Sequence, residues 1–158
     1  MQTATEPVNR TLHRKLQNLV SFLSHVTRGF SIVAEEIDNS GLSAALRTVA
    51  VESKQYIKEI STQFQHFDIR MAADQSDPLW TQLEGNMDDP TRLEKGAEIV
   101  ALCNNCEVYL NKLYAEVLQE DLSTKNFKDI ISYQLYAINC ALMKIKLLNA
   151  TRFNQQLV

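Results

Sequence analysis

Chain breakers are scarce in this sequence. Its 158 residues include four glycines and three prolines, too little turn chemistry for a sandwich or barrel of many short strands. The β-branched residues nowhere alternate with polar ones over a useful length, so the main signal for sheet is missing as well. No apolar run approaches the roughly 20 residues that cross a bilayer, and residues 1–10 lack the apolar core of a secretory signal. The expected compartment is the cytoplasm. Three cysteines, Cys103, Cys106 and Cys140, are an odd number and too few for a disulfide scaffold, in keeping with a reducing environment. Charge of one sign is also lacking: the net charge is -3, without the dense basic footprint interleaved with aromatics that binds nucleic acid. Neither a membrane nor a nucleic acid is expected as a partner.

What the chain does have is helical rhythm. Leu12, Leu16, Leu19, Leu23, Val26, Phe30, Val33 and Ile37 recur at alternating steps of four and three, one unbroken apolar seam. After Asn39, Ser40 and Gly41 a second seam runs through Leu42, Leu46, Val49, Ser53, Tyr56, Ile60, Gln63 and Phe67. Two long helices joined by so tight a turn must lie antiparallel. A third seam reads Val100, Cys103, Glu107, Leu110, Tyr114 and Val117, and a fourth reads Phe127, Ile131, Gln134, Ile138, Ala141, Ile145 and Leu148. The spacing predicts helices over about 10–38, 42–72, 90–120 and 124–153, an all-α single domain. The starts are assigned to Asn9 or Thr11, to Gly41 or Ser43, to Asp88-Asp89-Pro90 and to Ser123.

Residues 74–89, with Pro78 and the only tryptophan, Trp80, form a connection longer than adjacent antiparallel helices need. Sixteen extended residues reach about 55 Å, enough to run the length of a thirty-residue helix. Helices two and three are therefore expected to be parallel, as in ferritin-like bundles with one long crossover, with Trp80 pinning the crossover. Charge is uneven along this route. Residues 74–121 carry eleven acids and three bases, residues 123–158 one acid and five bases, which fits neighbouring helices with complementary edges.

Several stretches resemble a known bacterial family of small ferritin-like four-helix bundles, domain of unknown function 2383. They are residues 51–56 with Lys58 and Glu59, residues 106–112 and 114–118, Gln134, and Lys144, Ile145 and Lys146. Trp80 also falls near a tryptophan typical of that family's crossover. The similarity spans residues 12–152 and implies the ferritin-like fold, without implying a particular reaction. Two positions depart from the family pattern: His25 stands where an acid is usual, and Leu142 where histidine is frequent.

The residues that carry chemistry leave alternatives open. A di-iron site takes a glutamate from each of two helices and a Glu-x-x-His pair from each of the others. Here Glu52 is followed by Gln55 in the histidine's place and the Gln134 region offers neither ligand, so no metal or other cofactor is expected. Glu107, on the third seam, is expected to be buried near Ala137 and Ile138, one turn from Gln134. With Gln134, Glu52 and Tyr114 it forms either a register-fixing polar layer or a ligand contact. Cys103-Asn104-Asn105-Cys106 has redox spacing but sits mid-helix, where small-residue packing competes with a disulfide or soft-metal site; Cys103 is expected to lie close to Cys140 or Ala141. His25, with Arg28 and Gly29 after it, resembles the phosphorylated histidine of phosphotransfer bundles, where a lysine and then a glycine follow one turn on, and is expected to point outward. The leading expectation is a non-enzymatic bundle with a structural or protein-interaction role, through self-association or an unknown protein partner. A phosphotransfer module using His25 is second, and a degenerate metal-binding or oxidising bundle third.

Overall fold

The computed structural model describes residues 10–63, 97–122 and 124–156. Among them are four helices and no strand: α1 (Arg10–Glu36), α2 (Ser40–Gln63), α3 (Ala97–Leu118) and α4 (Lys125–Gln156). Every residue of the first seam is buried, and so are those of the second from Leu42 to Ile60. The end expected for helix two, the start expected for helix three, the crossover and Trp80 lie outside the described residues.

Two short polar caps define the tight ends. Asn39 precedes α2, and its Oδ1 accepts the N–H of Leu42 at 2.9 Å, satisfying a donor that the first helical turn leaves open. Ser43 Oγ donates to the Ala34 carbonyl at 2.6 Å and binds the start of α2 to the end of α1. Asn39, rather than Gly41 or Ser43, is therefore the cap. At α4 the same task falls to Thr124, whose Oγ1 accepts the N–H of Phe127 at 3.2 Å, one residue beyond the expected Ser123.

Helix α1 packs on α2 and α3, and α4 packs on α2 and α3, leaving α1/α4 and α2/α3 across the diagonals. Directions follow from paired residues. Lys15, near the start of α1, bridges Glu120 after the end of α3 at 2.9 Å, while Phe22 packs against Tyr109 with ring centroids 4.7 Å apart and the rings tilted by 47°. These two helices are antiparallel. Gln134, early in α4, reaches Tyr56 and Glu59, late in α2, so that pair is antiparallel too. Since α1/α2 and α3/α4 are joined by short turns, α2 and α3 run the same way. No helix among the described residues is long and apolar enough to cross a membrane.

The inward row of α3 keeps the expected Cys103, Leu110, Tyr114 and Val117, all buried. Ile99 and Cys106 take the inward places expected for Val100 and Glu107, so the seam lies one residue earlier at those two positions; Leu113 is buried beside Tyr114. In the second half of α4 it moves the other way, to Leu142 and Asn149.

Candidate functional site

A buried polar cluster centres on Gln134, whose side chain is fully buried among α2, α3 and α4. A helix of this length needs apolar residues on its inner row, and an amide there must find partners for its oxygen and its two N–H groups. Gln134 finds all three. Its Oε1 accepts the Tyr114 hydroxyl at 2.9 Å, and its Nε2 donates to Glu59 Oε1 at 3.0 Å and to the Tyr56 carbonyl at 3.3 Å. Gln55 Nε2 reaches the other oxygen of Glu59 at 3.5 Å. One helical turn earlier, Glu52 Oε2 accepts the Tyr56 hydroxyl at 3.3 Å. Ser53, on the same inner row of α2, is fully buried and its hydroxyl has no hydrogen-bond partner among the described residues.

Titration reinforces this arrangement. Burial raises the Tyr114 hydroxyl well above its ordinary value, with Tyr56 and Glu59 adding to the effect. Burial also raises Tyr56, helped by the charge and hydrogen bond of Glu52. Both phenols therefore keep their protons at neutral pH and act as donors. Glu59 opens onto a groove of about 450 Å³ between the end of α2 and the start of α4, lined also by Gln55, Lys58, Asp129, Ile130 and Tyr133.

Of the four residues expected in a polar layer, the structure joins Gln134 to Tyr114 directly and places Glu52 on Tyr56. Glu107 is not among them. Its side chain is 38% exposed and bridges Lys146 at 3.1 Å, and the inward place that it was expected to fill belongs to Cys106. The cause is the α3/α4 register. Asn111 and Asn139 exchange two amide hydrogen bonds at 3.1 Å, and Lys146 also reaches Asn104, so Glu107 meets α4 about two turns beyond Ala137 and Ile138. Glu59 is the member that sequence reasoning missed. It lies beside the seam of α2 rather than on it, and the stretch that carries the family resemblance includes it without giving it a role.

The cysteine and histidine readings change as well. Cys103 and Cys106 are buried free thiols and Cys140 is an exposed one; the register takes Cys103 toward Lys146 and away from Cys140. Burial pushes the Cys103 thiol up to about 12, with Lys146 opposing and Glu107 adding to the rise, and raises Cys106 well above its ordinary value. Neither is a thiolate nucleophile near neutral pH. His25 is buried, at 8% exposure, not outward. It lies on the same stripe of α1 as Phe22, which faces Tyr109 of α3, because α1 is covered by helices on two sides and buries more than one seam. Its Nδ1 lies 3.4 Å from the Arg28 guanidinium, and Gly29 is buried beside it. Among the described residues no three His, Cys, Asp or Glu side chains converge as metal ligands would.

The chain matches no family model, no curated protein and no solved structure.

Proposed function

We propose that this chain is a ferritin-like four-helix bundle without a complete di-iron site, acting through structural and protein-interaction contacts rather than catalysis. The observation that carries the reading is the Gln134 layer. Each polar group of that amide is engaged by a protein neighbour, two of them from a second helix and one from a third. A network that engages the amide oxygen and both of its N–H bonds fixes helix register. The same-direction run of α2 and α3 supports ferritin-like connectivity, as does the resemblance carried by residues 51–56, Gln134 and Lys144 to Lys146.

The test combines two assays on the purified chain. After incubation with ferrous iron or manganese and dialysis, metal content is expected to fall well below one ion per chain. After incubation with acetyl phosphate, no acid-labile phosphate is expected. Retention of two ions per chain overturns the reading, and so does phosphate that disappears in His25→Gln.

A further inference from the structure

Helix α4 has a second seam on its outer side. Tyr133, Tyr136, Cys140, Met143 and Leu147 follow one another at steps of three, four, three and four, all of them exposed. At about 100° per residue they lie roughly half a turn from the buried row of Gln134, Ile138, Leu142 and Ile145. Single exposed apolar residues are ordinary, but five in heptad register form a row into which another helix can interlock.

We propose that this face of α4 is a self-association surface, on which α4 of a second copy packs antiparallel about a two-fold axis through Cys140. The inference rests on the reading of the chain as an interaction module and names its partner. Size favours a copy of the same chain. Tyr133, Tyr136, Met143 and Leu147 are 66%, 69%, 58% and 62% exposed, offering on the order of 500 Å² per chain with Cys140. A pair then buries about 1,000 Å², the lower bound for a specific dimer, before the flanking exposed Ser132 and Lys144 are included.

The sequence of the face is also complementary to itself when reversed. Tyr133 lies seven residues before Cys140 and Leu147 seven after, so each tyrosine meets the partner's Leu147. Tyr136, four before, meets the partner's Met143 and Lys144. Large rings thus face smaller aliphatic groups twice over, as an isologous interface requires. Each Lys144 comes beside a phenol instead of near its own copy.

Sedimentation equilibrium of the full chain, over a wide concentration range, tests the proposal. The weight-average mass is expected to rise from 18.0 kDa toward twice that value. Tyr136→Glu and Met143→Glu should each weaken association at least about tenfold by placing a charge in the seam, while Val108→Glu, on the outer side of α3, should leave it unchanged. In a Cys140→Ser background, a mixture of Tyr133→Cys and Leu147→Cys chains exposed to oxidised glutathione should form mainly the mixed cross-link.

A mass that stays monomeric overturns the proposal, including a monomer whose stripe is protected by another part of the same chain. Association indifferent to both glutamates overturns it too, and like-with-like cross-links refute the antiparallel pairing. A monomer inert in the metal and phosphate assays leaves the interaction reading standing. Chemistry in those assays sinks that reading whatever the mass.

Discussion

Removing the Tyr114 hydroxyl would leave the Gln134 oxygen without its donor in a site that water does not reach. Tyr114→Phe is therefore expected to destabilise the fold by about 1 to 3 kcal/mol, measured by urea unfolding, although the ring still fills its space. Glu107 behaves differently. Its ion pair with Lys146 is partly exposed, and Lys146 keeps Asn104 as a partner, so Glu107→Ala should change stability by less than about 1 kcal/mol in the same measurement. A larger loss would mean that the carboxylate carries more of the α3/α4 contact than its exposure indicates. The contrast also marks what was readable in the sequence. Gln134 interrupts an otherwise apolar row and so announces a buried polar group. On α3 the row was legible at Cys103, Leu110, Tyr114 and Val117, but Ile99 adjoins Val100 and Cys106 adjoins Glu107, so each of those two places had two neighbouring candidates. Only contact with α4, through Asn111 and Asn139, decides between them.

At the scale of elements, helices α1 and α2 were legible because their seams are long and their turn is short. Their caps were not, since Asn39, Ser40, Gly41 and Ser43 all suit a helix start and only the Asn39 to Leu42 bond distinguishes them. Asn39→Ala is expected to cost about 1 kcal/mol in thermal or urea unfolding. His25 escaped sequence reading for a related reason. A heptad seam describes a helix with one partner, whereas α1 is covered by α2 and α3, and the buried arc widens to take in Phe22, His25 and Gly29.

For the whole molecule the buried thiols set a pH response. Cys103 and Cys106 have raised values in the fold against an ordinary 9.0. Below pH 9 the folded and unfolded chains both hold these protons, and stability does not depend on them. Above it the unfolded chain releases protons that the fold retains, so stability falls by up to about 1.4 kcal/mol per pH unit for each thiol. For Cys103 the fall ends as pH passes about 12, and Tyr56 and Tyr114 add a loss of the same sign above pH 10. The urea midpoint should therefore drop between pH 9 and 11, and replacing both cysteines with alanine should flatten its first part.

The Gln134 layer has a last consequence, for the order of events in folding. Its bond to Tyr114 spans 20 residues and lies within the hairpin of α3 and α4, whereas its bonds to Glu59 and Tyr56 span 75 and 78 and join that hairpin to the one made by α1 and α2. Local contacts form early and distant ones late. In a chevron plot, Glu59→Ala is therefore expected to act on the unfolding limb, with the folding limb nearly unmoved. The amide would then serve as the latch that closes after two preformed hairpins have met, setting how long the assembled bundle lasts more than how quickly it forms.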